Sequence, residues 1–177
     1  MFSLEKKEKR ILYLFAILVM TITTIPYLIG FLLQGSEWRF TGFVFSVEDG
    51  NAFIAKMLAG NVGEWLFRSP YTAFKQNGFL IFSTYILAGK IARTPYLHEK
   101  LVILYHVYRF LAGCFAILGT YYFLSIFIHD IKFRFVGLSL GILGGGIGWV
   151  LILFNRPVFF DTLPISFYSP ESFGFLS

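Results

Sequence analysis

The strongest constraint on the fold of this chain is the segment 11–33, which contains no charged residue. An α-helix of about 20 residues crosses the hydrocarbon core of a bilayer, so this segment is long enough to span a membrane. The basic cluster at residues 6–10 precedes it, and basic residues beside a membrane helix mark its cytoplasmic end. The apolar segment is also longer than the hydrophobic region of a secretory signal peptide. The sequence therefore predicts an uncleaved first transmembrane helix with a cytoplasmic N-terminus.

The composition excludes a single soluble core. Apolar residues make up 56% of the chain and charged residues 14%, and the mean hydropathy is +0.70. Soluble domains are about 25% charged, so much of this chain must be covered by lipid. The net charge of +5 comes from scattered basic residues. We therefore expect the lipid bilayer as a partner and no nucleic acid. The single cysteine, Cys114, excludes an internal disulfide.

Three further apolar segments decide how often the chain crosses the membrane. The segments 101–128 and 136–154 are each long enough to span it. The segment 79–92 would reach only about 21 Å as a helix and contains Lys90, which predicts an interfacial helix that does not cross. The fold predicted is all-α, a polytopic membrane protein with three transmembrane helices. If 79–92 did cross, the basic loop at 129–135 would lie outside, and the charge rule barely separates the two arrangements.

The three-span arrangement assigns a side of the plasma membrane to each connecting segment. Residues 34–100 form an external loop, 129–135 a cytoplasmic loop and 155–177 a second external segment. The chain 1–177 is then one multi-pass membrane domain. It stops at Ser177 soon after a motif and without a terminating feature. We expect it to be the N-terminal fragment of a longer protein.

The external loop contains an acidic pair, Glu48-Asp49, within V-E-D-G-N-A-F-I-A-K-M. Ser46-x-x-Asp49 has the form of a capping box, which predicts an amphipathic helix over about 47–59 on the membrane surface. Ionisable groups beside a bilayer are costly. Asp49 therefore has two interpretations, a carboxylate that caps the helix or a general base or cation ligand. A cap needs no second acid, so Glu48 favours the functional interpretation.

Two polar side chains near the outer end of the second span are candidates for lipid binding. Arg109 lies in Y-H-V-Y-R-F-L-A-G, with His106 one turn earlier on the same face. A guanidinium group suits a lipid phosphate, but an arginine near a helix end also extends to the headgroups as an ordinary anchor. His106 is equally consistent with a packing residue that forms a hydrogen bond.

The chain from residue 136 onward contains two acids and a glycine-rich stretch. Asp161 and Glu171 follow the third span, and Glu171 in S-P-E also fits a helix start. The glycines at 141, 144–146 and 148 lie inside an apolar segment, which indicates close helix packing. A nucleotide-binding loop would need a strand before the glycines.

The order of these elements resembles the N-terminal part of GT-C glycosyltransferases, the multispanning class that includes protein O-mannosyltransferases and lipid A aminoarabinose transferases. In that class an acidic motif, here Glu48-Asp49, follows the first span. Amphipathic helices and a short non-spanning helix ending in Gly come next, here Y-I-L-A-G-K-I-A, and then an arginine, here Arg109. The segments G-E-W-L-F-R-S-P-Y-T and S-P-E-S-F-G-F-L-S are similar to bacterial glycosyltransferase-like proteins. The class often has H-P-P-L or K-P-P-L where this chain has R-S-P-Y.

The resemblance implies an inverting transferase that moves a sugar from a polyprenyl-phosphate donor to an acceptor on the outer face. Asp49 would be the general base and Glu48 its helper or substitute. The candidates for binding the donor's phosphate are Arg109 first, then Lys90, Arg93 and His106. Asp161 would be the second acidic position, with Glu171 further along, and Asp49 and Asp161 could share a divalent cation, Mg²⁺ or Mn²⁺. The 177-residue chain alone is expected to be inactive.

Two other classes of function fit the same sequence. A polytopic lipid or solute transporter would use Arg109 and His106 along its path, with the glycine-rich span as its moving helix. A non-catalytic membrane assembly subunit would use the glycine face as a contact surface.

Overall fold

A computed structural model describes residues 4–44, 47–69 and 71–143 of the chain. These residues contain five α-helices and no strand, in the order α1 Lys6–Leu33, α2 Val47–Asn61, α3 Ser83–Gly89, α4 Leu97–Phe127 and α5 Ile131–Leu143. The prediction of an all-α protein is confirmed for this part of the chain. The glycines at 144–146 and 148, most of the predicted third span, and Asp161 and Glu171 lie outside the described residues.

Two of these helices, α1 and α4, are long and apolar enough to cross a membrane. Only 22% of the most apolar window of each helix is buried inside the protein. Both begin earlier than the sequence predicted, because the charged residues before each apolar segment continue the helix. The helix α1 starts at Lys6, and α4 starts at Leu97. Both are candidate membrane spans by length and composition.

The described residues form two compact units. The first contains the chain up to Ile29 and from Phe110 onward, and the second is Gly30–Arg109. Within the first unit α1 and α4 run antiparallel, because Glu8 near the start of α1 contacts Tyr121 near the end of α4. The core between them contains Leu12, Ala16 and Met20 of α1, Ile117 and Tyr121 of α4, and Leu138 of α5.

A buried charged cluster closes one end of this first unit. One carboxylate oxygen of Glu8, Oε1, accepts hydrogen bonds from Nη1 of Arg134 and from the hydroxyl of Tyr121, each at 2.6 Å. Arg134 also donates to the carbonyl oxygens of Ile128 and His129. Glu8 and Arg134 are 5% and 8% exposed. We call Glu8, Tyr121 and Arg134 the Glu8 cluster.

The Glu8 cluster corrects one sequence interpretation and adds a feature that the sequence did not predict. Within the basic cluster at residues 6–10, Glu8 is buried and paired with a distant arginine. Arg134 was predicted in a loop at 129–135, but α5 already begins at Ile131. An unpaired buried charge is very costly. Each of these two residues can therefore be buried only because it is paired with the other.

In the second unit, α2 and α3 cross at two glycines. A Cβ atom added to Gly60 would collide with the carbonyl oxygen of Ile86, and one added to Gly89 would collide with that of Met57. The side-chain amide of Asn61 donates to the carbonyl oxygens of Gly89 and Ala92, which satisfies groups left open at the end of α3. Only glycine permits this close approach of the two backbones.

The helix α3 is shorter than the 79–92 helix expected from the sequence. Phe79 exchanges two backbone hydrogen bonds with Phe67, both of 2.9 Å, in an isolated antiparallel bridge. The carbonyl group of Phe79, which would accept the first hydrogen bond of a helix that starts at 79, is therefore already bonded to Phe67. The helix therefore starts only at Ser83.

Candidate functional site

One face of α2 combines a carboxylate, an ammonium group and small side chains. Asp49, Ala52, Lys56 and Ala59 follow at helical spacing, so they form one stripe along the helix. Glu48 and Asp49 lie exposed in the first turn, where the helix dipole stabilises negative charge. The proposed cap residue Ser46 lies outside the described residues. The stripe places Asp49 one turn before Ala52.

This stripe borders a cavity of about 310 Å³, which we call the α2 cavity. Its floor is formed by Ala52, Ala55, Lys56 and Ala59 of α2. Its wall comes from the following segment 64–71, with Glu64, Leu66, Phe67, Arg68 and Tyr71. Asp49 does not line the cavity, but it extends the same helix face by one turn.

The wall of the α2 cavity is held in place by its own hydrogen bonds. The side chain of Gln76 accepts from the backbone N–H of Ser69 at 3.1 Å and donates to its carbonyl oxygen at 2.7 Å. The bridge between Phe67 and Phe79 fixes the base of the same loop. Arg68 forms an ion pair with Glu64 at 2.7 Å. The loop thus presents its side chains to the cavity from a defined backbone.

Lys56 is the cation of the cavity floor. Its Nζ atom lies 4.5 Å from the ring centre of Phe53 and 4.4 Å from that of Phe82, so both rings make cation–π contacts with it. None of the ion pairs among the described residues includes Lys56. Burial lowers the pKa of Lys56 below its ordinary value of 10.5, and the charge of Asp49 partly opposes this shift. The ammonium group is therefore compensated mainly by aromatic faces.

An aromatic cluster supports α2 from α3 and α4. The ring of Phe53 stacks on Tyr85 at 4.7 Å and on Tyr105 at 5.9 Å between centroids. Phe43 packs against Tyr105 and His106, and a Cβ atom added to Gly50 would collide with Phe43. The start of α2, which contains Asp49, therefore rests on rings beside α4.

The predicted phosphate-binding residues do not gather around the α2 cavity. Nζ of Lys90 lies 4.1 Å from the ring centre of Trp65 and donates to the carbonyl oxygen of Gly60, so this side chain closes the end of α2. Arg109 is buried, at 8% exposure, and Arg93 is exposed; neither lines the cavity. The Nε2 atom of His106 donates to the carbonyl oxygen of Gly42 at 2.8 Å, which agrees with the packing interpretation.

No metal-binding group is visible in the part of the chain that the structure describes. Within residues 4–44, 47–69 and 71–143, no three His, Cys, Asp or Glu side chains lie together in a way that could hold an ion. The predicted partner of Asp49, Asp161, lies outside these ranges. The shared divalent cation stays a prediction.

A second cavity in the same unit, of about 420 Å³, has a different charge balance. Its charged lining residues include Arg39 and Glu99, which face each other at 3.8 Å. The pair is exposed and its charges cancel. This cavity therefore offers less attraction to a charged ligand than the one on α2.

Sequence reasoning missed three lining residues of the α2 cavity, Lys56, Glu64 and Arg68. The seven-residue spacing from Asp49 already placed Lys56 on the acidic face of α2. Glu64 and Arg68 carried no comparable signal, because they lie in a loop whose position depends on Gln76 and Phe79. Comparisons of the chain with protein-family models, with curated proteins and with solved structures found no match.

Proposed function

We propose that this chain belongs to a membrane glycosyltransferase of the GT-C type, which transfers a sugar from a polyprenyl-phosphate donor to an acceptor on the extracytoplasmic face. One observation carries the proposal. Asp49 is an exposed carboxylate in the first turn of α2, on the helix face that lines a ligand-sized cavity next to a lysine. A base and a partly buried cation beside a membrane helix suit a reaction on a lipid-linked substrate.

The proposed topology has three spans, a cytoplasmic N-terminus and a location in the plasma membrane. Two features support it. The helices α1 and α4 run antiparallel, so the end of α1 and the start of α4 lie at the same end of the pair. The seven residues of α3 reach only about 10 Å, too short for a crossing. The segment 34–96 would then lie on one side of the membrane, and 136–154 would form the third span.

The proposed reaction assigns Asp49 the role of general base. Its carboxylate takes the proton of the acceptor hydroxyl, and the resulting oxygen attacks the anomeric carbon of the sugar. The bond between that carbon and the phosphate oxygen breaks, and its electron pair stays on the phosphate. Glu48, the neighbouring exposed acid, is the helper or substitute for Asp49. Any Mg²⁺ or Mn²⁺ that the reaction needs would be shared by Asp49 and Asp161.

The test is sugar transfer by membranes from cells that produce the complete protein, with a radiolabelled polyprenyl-phosphate hexose as the donor. Loss of a general base lowers the rate by about 10²–10⁴-fold, so Asp49→Asn should reduce transfer by that factor while expression stays normal. Asp130→Asn is a matched control. Asp130 accepts a hydrogen bond from the backbone N–H of Lys132 at the start of α5, which is a capping role only. Full transfer by Asp49→Asn would overturn the assignment.

A transporter is the second candidate, and the burial of Arg109 in the candidate span α4 favours it. Ionisable groups within membrane helices commonly lie on a transport path. In that case Arg109→Met should abolish the function of the protein and Asp49→Asn should leave it unchanged. The pair of variants therefore separates the two candidates.

A further inference from the structure

The α2 cavity has an excess of positive charge. Two cationic side chains, Lys56 and Arg68, and one anionic side chain, Glu64, line it. The ion pair between Arg68 and Glu64 cancels two of these charges. The remaining charge belongs to Lys56, whose ammonium group lies over two rings instead of against a carboxylate. An anionic group in the cavity would supply the missing compensation.

The remaining lining side chains suit a ring. Three alanines, Ala52, Ala55 and Ala59, leave the floor of the cavity flat and open. Phe67 and Tyr71 present aromatic surface, and Tyr71 is 87% exposed, so its face is accessible. Glu64 and Arg68 also line the cavity, and they add the few polar groups that orient a ligand in such a site. A volume of about 310 Å³ is at the lower end of ligand pockets, about 300–1,000 Å³.

We infer that the α2 cavity binds a glycosyl phosphate, a single sugar ring carrying one phosphate group. The ammonium group of Lys56 donates to the phosphate, the ring lies against Phe67 and Tyr71, and the pair of Glu64 and Arg68 binds the hydroxyl groups. The flexible four-carbon stem of lysine lets the ammonium group turn from the two rings towards the phosphate.

The role of this site in a reaction rests on the proposed function. The helix rise places Lys56 roughly 10 Å along α2 from Asp49, on the same face. The acceptor proton would go to Asp49, and the electron pair of the broken bond would go to the phosphate held by Lys56. Lys56 would then take the role that the sequence assigned to Arg109, Lys90 and Arg93.

Binding to the full chain in detergent, measured by equilibrium dialysis, tests the inference without any transfer reaction. The probes are a radiolabelled hexose 1-phosphate, inorganic phosphate and the free hexose. The hexose 1-phosphate should bind more tightly than either of its halves. Loss of a hydrogen bond to a charged group weakens binding by about tenfold or more, so Lys56→Met should have that effect and Lys56→Arg should retain most of the affinity. Lys75→Met, at an exposed lysine of the same loop, should bind as the unchanged protein does.

A second variant keeps the test decisive if Lys56→Met fails to fold. Ala55→Leu places a larger side chain on the floor of the cavity without changing a charge, and it should also reduce binding of the hexose 1-phosphate. Equal affinity in the unchanged protein, Lys56→Met and Ala55→Leu would overturn the inference, as would no binding of any probe to the folded chain.

The outcomes for the site and for the reaction are separable. Normal probe binding by Lys56→Met, together with lost transfer by Asp49→Asn, would overturn the site and leave the proposed function standing. Lost probe binding by Lys56→Met, together with full transfer by Asp49→Asn, would leave the site standing and overturn the base assignment.

Discussion

The two units of this protein compensate a cation in opposite ways. In the first unit Arg134 forms a 2.6 Å ion pair with Glu8 and donates further hydrogen bonds to two carbonyl oxygens. In the second unit Lys56 rests over the rings of Phe53 and Phe82, and Asp49 acts on it only through its field. The guanidinium group is paired with a carboxylate, while the ammonium group is not.

This difference distinguishes a charge that stabilises the fold, that of Arg134, from a charge that is available to a ligand, that of Lys56. The Glu8 cluster joins α1, α4 and α5, and its two charges are buried and paired with each other. Lys56 loses hydration through burial and gains two cation–π contacts and the field of Asp49 in return, in a cavity large enough for a small molecule. The fold gives the ammonium group of Lys56 no carboxylate partner. An anionic ligand in the cavity would supply this partner.

The largest expected effect is the loss of Arg134, because it leaves the buried Glu8 without its partner. Arg134→Met should lower the free energy of unfolding by about 3–5 kcal/mol. Thermal unfolding in detergent, followed by circular dichroism, measures the change. Lys132→Met, at an exposed lysine two residues away, is the control and should change stability by about 0.5 kcal/mol or less. Unchanged stability of Arg134→Met would mean that the Glu8 cluster does not hold the first unit together.

The next effect concerns the scaffold of the second unit. Gly89→Ala places a Cβ atom against the carbonyl oxygen of Met57, which cannot rotate away, and should cost about 1–3 kcal/mol of unfolding free energy. Since Met57 follows Lys56, the same variant should also weaken binding of the hexose 1-phosphate. Gly119→Ala in α4 is the matched control, because nothing lies within 4 Å of the added atom. It should leave stability unchanged or raise it by up to about 1 kcal/mol. Equal behaviour of both variants would contradict the close crossing of α2 and α3.

The sequence predicts the local parts of this fold and misses the distant ones. The apolar runs and the acidic pair suffice to locate α1, α2 and α4, because helical propensity and amphipathicity are local properties. The length of α3 depends on the pairing of Phe79 with Phe67, which no local pattern reveals. The ion pair of Glu8 and Arg134 joins residues 126 positions apart, so no local pattern around Glu8 reveals it.

The candidate site also has one part that local sequence patterns predict and one part that they do not. The seven-residue spacing already placed Asp49 and Lys56 on one face of α2. The opposite wall of the cavity depends on the two hydrogen bonds between Gln76 and Ser69, which only the folded loop reveals. Arg109 looked suited to a phosphate from its position in the second span, but its burial could be read only from the packing around it.

A smaller effect distinguishes Lys56 from Arg134 directly. Lys56→Met removes two cation–π contacts, each worth about 0.5–1 kcal/mol at an exposed site, but it also removes the cost of desolvating the charge. The net change in unfolding free energy should therefore be about 1 kcal/mol or less, by the same thermal measurement. A loss as large as that of Arg134→Met would make Lys56 a structural residue and remove the contrast between the two units.

The smallest effect is a dependence on alkaline pH that only a lysine can produce. Because burial lowers the pKa of Lys56 below 10.5, its charge is lost at a lower pH than that of an ordinary lysine. Binding of the hexose 1-phosphate should weaken as the pH rises through this pKa, whereas Lys56→Arg, whose guanidinium group stays protonated, should keep its affinity. Stability should change in the opposite direction. Between the folded pKa and 10.5 the unfolded chain binds more protons at Lys56 than the folded chain, so the contribution of this residue to unfolding free energy rises with pH. If affinity in the unchanged protein stayed level over the same range, the phosphate would be bound by Arg68 instead of Lys56.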